Sequence, residues 1–348
     1  MPSSNRPTIN LYSDTQTRPT PAMREAMAYA EVGDEQRDQD PTVTRLCERV
    51  AAMLGQPRAV FLPSGTMANE IAMLVHCRPG DEILCDKTAH ILNIEGGGPS
   101  ALAGAVMTGL DGDRGRFTAE QVRAAIRPVS RYLPRTRVVA MEQTANLGGG
   151  TVWPVDQASA VADAARAAGL AVHMDGARLL NATCALGVAP VEFGRLCDSV
   201  WIDLSKGLGC PVGAVLAGRS DFIDEVWRWK QRMGGAMRQA GILAAAGLYA
   251  LDHHVERLAE DQANARAFAL ALSDCPGIRI DLTSVQTNIV YFDVPGQDAA
   301  SIIEPLAAAG VDIGSMGPQT LRAVTHLDVN ANDIALAASL VRSVLAKQ

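Results

Sequence analysis

The sequence predicts an α/β protein: a large domain with a mostly parallel sheet, and a smaller α+β domain at the C-terminus. Three observations carry that reading. Short apolar runs alternate with helical patterns through the middle of the chain, and repeated strand–helix alternation builds a parallel sheet covered on both faces. Runs such as RVVAM (137–141) are apolar almost without interruption, as a strand buried on both sides must be. After Pro276-Gly277, a breaker pair, the composition changes.

In chain order, the first forty-odd residues hold an extended piece, a helix near 21–30 and an irregular stretch, GDEQRDQDP (33–41). Strands are expected at 59–62, 82–85, 105–107, 138–141, 171–174, 200–203 and 214–217. Helical patterns such as 118–126 and 156–168 fill the intervals. A long helical region spans about 239–273, and strand–strand–helix–strand–helix follows over 278–346. This divides the chain into an N-terminal segment (1–30), a large domain (31–250) and a small domain with its linking helix (251–348).

Composition excludes several classes. The 348 residues exceed one compact unit, which favours one large and one smaller domain. With 48% hydrophobic and 20% charged residues the chain reads as a globular protein. The net charge of −7 and the lack of a basic stripe argue against a nucleic-acid partner. No apolar run reaches the roughly 18 to 20 residues of a membrane helix, and residues 1–6 lack the apolar core of a signal peptide. A cytoplasmic location with no membrane partner is expected. The seven cysteines are scattered and never spaced as CxxC, which disfavours a disulfide framework and a zinc site. Six histidines without HExxH give no metal centre, and none is expected.

Ligands of parallel α/β sheets bind at the carboxyl ends of the strands. Three strand ends carry chemistry. Ser64-Gly65-Thr66 follows the strand at 59–62 and opens a helix. Such a small-residue turn exposes backbone N–H groups to an anion, typically phosphate, and Thr66 adds a hydroxyl; the alternative is a plain Ser/Thr helix cap. Asp175 and Arg178 follow the strand at 171–174. They read either as a buried structural ion pair or as an acid for a charged ring nitrogen with an arginine for a carboxylate. Lys206 follows VWIDL. It reads as a Schiff-base lysine whose pKa burial and nearby positive charge depress, or as an ordinary loop lysine. A phosphate cradle, a ring-nitrogen partner and an imine-forming lysine together suit pyridoxal 5'-phosphate. Their order along the chain is that of the fold-type-I enzymes using this cofactor.

Seven collinear stretches sharpen this: LYSDTQTRP (11–19), DPTV (40–43), FLPSGTMAN (61–69), HMDGARLLNA (173–182), LSKGLGCPVG (204–213), GGAMRQAGILAAAGLYAL (234–251) and LRAVTHLD (321–328). From about residue 9 onward the sequence resembles the low-specificity L-threonine aldolases, in the β-eliminating-lyase group of fold type I. The resemblance implies cleavage of a β-hydroxy-α-amino acid to glycine and an aldehyde. It implies that Lys206 carries the cofactor, Asp175 keeps its ring protonated, and Gly65 and Thr66 meet its phosphate. Arg238 would reach a phosphate from a neighbouring subunit, so a homo-oligomer, dimer or tetramer, is expected. Ser13, Arg178 and Arg322 match positions that hold the substrate carboxylate. His90 matches a histidine that packs on the cofactor ring and helps move protons.

Three positions depart from the family pattern. Thr144-Ala145-Asn146 stands where a THN tripeptide is usual, so one candidate base is missing. Arg37 replaces a tyrosine in the loop that reads RDQDP here (37–41), and Gln143 stands where an asparagine is common. All three segments are expected to line the side-chain pocket. Arg37 there would suit a substrate with a second carboxylate, such as 3-hydroxyaspartate; the alternative is an ion pair with Asp38 or Asp40. β-Elimination, transaldol exchange, racemisation and a catalytically silent homologue are the competing readings.

Overall fold

The computed structural model describes residues 9–346; residues 1–6, read above for the missing signal-peptide core, lie outside them. The chain runs β1 (Ile9–Asn10), α1 (Pro21–Ala28), α2 (Pro41–Leu54), β2 (Arg58–Leu62), α3 (Gly65–His76), β3 (Asp81–Asp86), α4 (His90–Asn93), α5 (Gly98–Leu102) and β4 (Val106–Leu110). It continues with α6 (Ala119–Ala125), β5 (Arg135–Glu142), α7 (Val155–Ala167), β6 (Ala171–Gly176), α8 (Leu179–Leu186), α9 (Val191–Gly194), β7 (Ser199–Asp203), β8 (Ala214–Gly218) and α10 (Ser220–Arg232). The remainder is α11 (Gly241–His253), α12 (Leu258–Ser273), β9 (Ile289–Asp293), α13 (Ala299–Ala308), β10 (Val311–Asp312), β11 (Gly314–Ser315), β12 (Thr320–Val324) and α14 (Ala331–Leu345).

The large sheet has the order β2-β8-β7-β6-β5-β3-β4. Strands β3 to β7 pair in parallel, whereas β8 is antiparallel to both β7 and β2. The reason is chain length: the link at 204–213 is shorter than the dozen or so residues a parallel crossover needs. Strand β5 shows why its apolar run is unbroken. Val139 and Met141 pack with α2, α6, α7 and α11 on one face, and Val138 and Ala140 pack with α3 and α10 on the other.

A second core joins β9 and β12 to α12, α13 and α14 through Phe268, Val290, Phe292, Ile302, Leu321 and Val341. Ile9 and Leu11 belong to it as well. Strand β1 pairs in parallel with β10, and Val324 N–H donates to the Leu11 carbonyl at 2.8 Å.

Three expectations are corrected. The helical region expected at 239–273 is two helices, α11 and α12, because each faces a different core. The bend falls at buried His254, whose Nδ1–H donates to the Leu208 carbonyl at 2.7 Å. The order after 278 is strand, helix, three short strands, helix. The strand expected first there shrinks to one bridge, Arg279 to Asp293, because Asp281 turns the chain by accepting Thr283 N–H at 2.9 Å. No helix among the described residues is long and apolar enough to cross a membrane.

The stretch 33–41 is anchored by Asp40, which is 1% exposed. Its Oδ1 accepts from Thr42 and Val43 N–H at the start of α2, and its Oδ2 accepts from Gly33 and Gly241 N–H. Asp40→Ala strips four backbone donors of their acceptor and should cost about 2 to 4 kcal/mol. The check is a lowered urea midpoint with an unchanged slope.

Candidate active site

The strands β2, β6 and β7 deliver their carboxyl ends to one cavity of about 360 Å3, lined by Ser13, Gly65, Thr66, His90, Asp175, Arg178, Lys206 and Arg322. Helix α3 starts at its wall. Ser64 caps it by accepting Met67 N–H at 3.2 Å, so the cap reading of this turn holds. The first-turn N–H groups of Gly65 and Thr66 have no carbonyl one turn earlier to bond. They line the cavity, which makes this helix start suited to an anion. Glycine is required at 65, since a β-carbon there would lie 2.2 Å from the Trp201 ring.

Lys206 leaves β7 on the short link to β8. Its Nζ lies 3.2 Å from Asp203 Oδ2, and Asp203 Oδ1 accepts both N–H and O–H of Ser205 at 2.8 Å. The sequence reading expected positive charge beside this amine; the close partner is an acid instead. Thr17 O–H donates to the Lys206 carbonyl at 2.9 Å, which pins the loop to the N-terminal segment. Cys210 on the same link is buried, and burial pushes its thiol up, so it takes no part.

Acids gather at the other wall. Asp175, at the end of β6, accepts from Asn69 Nδ2 at 2.8 Å and from Ala177 N–H at 3.0 Å. His90 Nδ1–H donates to Glu95 Oε1 at 2.7 Å. Burial alone would pull His90 down. The Glu95 hydrogen bond and the charges of Asp175, Glu95 and Glu142 outweigh it, and the net shift is upward. Glu142 accepts N–H from both His90 and Asn146 at 2.7 Å, clasping two loops. Burial and then the charge of Asp175 push its carboxyl up to about 7. His90, Glu95 and Asp175 offer three ligand atoms within 4.8 Å of one another. Asn69 Nδ2 already donates to both carboxylates, so the cluster is built as a hydrogen-bonded network.

The two arginines differ. Arg178 is buried and grips Asp14 at two points, Nε to Oδ2 at 2.8 Å and Nη2 to Oδ1 at 2.6 Å. Its fork is therefore taken, as in the structural ion-pair reading, but with Asp14 rather than Asp175 as partner. Among the described residues Arg322 pairs with no acid; it donates to Asn146 Oδ1 at 3.4 Å and to the Tyr12 carbonyl at 3.2 Å. Ser13 Oγ accepts from Thr15 N–H and O–H, which leaves its own O–H to donate.

A family model described as β-eliminating lyase matches residues 10–295. The chain belongs to the β-eliminating lyase family. Within that family, the low-specificity L-threonine aldolase of Escherichia coli (strain K12) is 40% identical over 340 residues, covering 97% of this chain and 100% of that protein. Low-specificity L-threonine aldolase 1 of Arabidopsis thaliana is 38% identical over 333 residues, covering 94% of this chain and 93% of that protein. The solved threonine aldolase of Leishmania major superimposes with a TM-score of 0.84 at 19% identity, over 97% of this chain and 99% of that one.

The fold does not bring every expected residue into the cavity. Arg238 is exposed and pairs with Asp34 at 2.9 Å. Arg37 is exposed and, among the described residues, has no side-chain partner; neither Asp38 nor Asp40 pairs with it. Both arginines ride one clasp, in which Glu35 N–H donates to the Arg238 carbonyl and Gln36 Nε2 to the Met237 carbonyl. Buried Lys230 holds that clasp through Glu35. Gln143 and Ala145 are turned away as well. The Gln143 amide exchanges hydrogen bonds with the Trp153 backbone, and Ala145 packs on Gly115. Their neighbours Glu142 and Asn146 line the cavity in their place.

The sequence reading missed Asp14, Asn69, Glu95, Glu142 and Asp203. Glu142 and Asp203 carry the same signal as Asp175, an acid closing an apolar strand. Asp14 lies inside the quoted LYSDTQTRP. Burial pushes the Asp14 carboxyl up, but Arg178, joined by Lys206 and Asn288, outweighs it and holds the carboxyl well below the ordinary range. Asp14→Asn leaves a buried cation unpaired and should cost about 3 to 5 kcal/mol at pH 7, read from urea unfolding. The depressed carboxyl stabilises the fold above its unfolded pKa of about 3.9 and loses that contribution as pH falls further, so the variant should lack this acid limb.

Proposed function

We propose that this chain is a pyridoxal-phosphate-dependent aldehyde-lyase that splits a β-hydroxy-α-amino acid of the threonine class at Cα–Cβ, giving glycine and an aldehyde. One observation carries the reading. A lysine, a buried aspartate and a helix start converge on one cavity, in a chain that a low-specificity L-threonine aldolase matches over 97% of its length.

The donor set fits pyridoxal phosphate. The first-turn N–H groups of α3 and the Thr66 hydroxyl suit the phosphate, Asp175 the ring nitrogen and Lys206 the aldehyde. When bound, the cofactor supplies an electron sink for the pair left on Cα. Asp175, steadied by two N–H donors, holds a proton at the ring nitrogen. Asp203 keeps the Lys206 amine beside the cavity. Arg322 keeps its charge for the substrate α-carboxylate, Ser13 adds a donor, and Arg178 fixes the segment that presents Ser13. Glu95 holds His90 Nδ1–H, so in the neutral ring Nε2 is the nitrogen that takes the β-hydroxyl proton, and the acids that shift His90 upward favour the imidazolium so formed. With Ala145 packed away, His90 is the base this reading relies on.

Arg238 serves a neighbouring copy in a homo-oligomer, dimer or tetramer, of a cytoplasmic protein; its exposure outside the cavity of its own chain supports the oligomer. The unpartnered Arg37 favours a second reading of substrate preference, an acidic β-hydroxy amino acid such as 3-hydroxyaspartate.

Purified protein given threonine should yield glycine and acetaldehyde; ammonia with a keto acid would mark elimination instead. Lys206→Ala should reduce turnover at least about a thousandfold. Arg37→Ala should lower kcat/KM for 3-hydroxyaspartate relative to threonine, and an unchanged ratio removes Arg37 from specificity.

A further inference from the structure

Asn69 lies in the second turn of α3 and is fully buried. Its amide makes four hydrogen bonds. Nδ2 donates to Asp175 Oδ2 at 2.8 Å and to Glu95 Oε1 at 2.7 Å. Oδ1 accepts from Trp201 Nε1–H at 2.7 Å and from His173 Nε2–H at 3.0 Å. Carboxylates only accept and an indole N–H only donates, so these partners decide which end of the amide is nitrogen. Its two N–H groups go to two different acids. One acid is Asp175, assigned above to the ring nitrogen; the other, Glu95, holds His90.

A polar chain backs this hub. With Nε2–H donating to Asn69, His173 Nδ1 accepts the Ser199 hydroxyl at 2.8 Å, and Ser199 Oγ accepts from His76 Nε2–H at 2.8 Å. Every donor points towards Asn69, so the bonds polarise one another in the same sense. Burial, then the neighbouring His76, pulls His173 down to about 3, and burial pulls His76 down to about 4. Both rings stay neutral near pH 7, and the donor–acceptor alternation holds.

We propose that Asn69 is a positioning residue for the cofactor: it aims Asp175 at the ring nitrogen and ties it to the His90–Glu95 pair, so that the groups at the ring's edge and on its face are held as one unit. This rests on the reading of the cavity as a pyridoxal-phosphate site. Without the amide, Asp175 and Glu95 face each other with no donor between them. Like charges in a buried site then favour protonating one of them, and a protonated Asp175 no longer stabilises a protonated ring nitrogen.

The test uses apo-protein titrated with pyridoxal phosphate and with an analogue carrying carbon in place of the ring nitrogen. Wild type should prefer pyridoxal phosphate, since that ligand alone offers Asp175 a partner. Two variants are compared. Asn69→Leu removes the amide. Asn69→Asp keeps its shape and the acceptor for Trp201 and His173 but leaves at most one donor, a proton shared among three acids, so it can no longer serve Asp175 and Glu95 together. The preference should fall about tenfold or more in each, the scale on which outer partners of ligating groups act. A merely structural role would weaken both ligands alike and leave their ratio unchanged. If Asn69→Leu does not fold, Asn69→Asp decides. Folded variants that keep the wild-type ratio overturn the inference and leave the cofactor reading standing. A wild type with no preference overturns the role given to Asp175, and the inference with it.

Discussion

The ion pair between Asp14 and Arg178 is the joint on which the site depends. Asp14 comes from the N-terminal segment and Arg178 from the end of the central strand β6. Asn288, beside β9, donates to the same carboxylate at 3.1 Å. Three parts of the chain therefore meet at one buried charge. A buried pair contributes little net stability over apolar packing, because each ion gives up its water. Breaking it leaves an uncompensated charge, so its effect is to forbid other arrangements. Ser13 and Thr15 can line the cavity because Asp14 between them is held in place.

The electrostatics of the cavity follow from burial. Asp175, Glu95, Glu142 and Asp203 stand against Lys206 and Arg322, with Arg178 already neutralised. Such a surplus of acids cannot all be ionised in a poorly solvated space. Protonation relieves it: Glu142 is pushed up to about 7, and Glu70 behind Glu95 up to about 8, by burial and then by the charge of Glu95. The anion-attracting first turn of α3 opens on the same cavity, while its second turn meets the acids through Asn69, which donates to Asp175 and Glu95.

Much of this was legible in the sequence wherever a feature is local. Strands buried on two faces read as apolar runs, and a charge at the end of such a run is costly enough to be noticed, as with Asp175 and Lys206. Partners distant in sequence were not legible. Nothing near Arg178 announces Asp14, 164 residues away. Asn69 is neutral and sits in a helix, so its importance lies wholly in partners drawn from three other elements. The substitution at 145 was visible, but its side-chain direction was not, because that depends on the close approach of Gly115. The helix break at His254 left no pattern, since α11 is apolar around most of its surface.

The pairing of the N-terminal segment has a consequence for biosynthesis. Residues 9–17 leave the ribosome well before their partners: β1 pairs with Val311 and Asp312, Leu11 accepts from Val324, and Asp14 awaits Asn288. At about 5 to 20 residues per second, that wait lasts roughly a quarter of a minute to a minute. The large sheet has its strands long before its mouth is closed. Residues 9–17 therefore dock only after β9, β10 and β12 have been made, and the cavity is complete only once Arg322 has arrived.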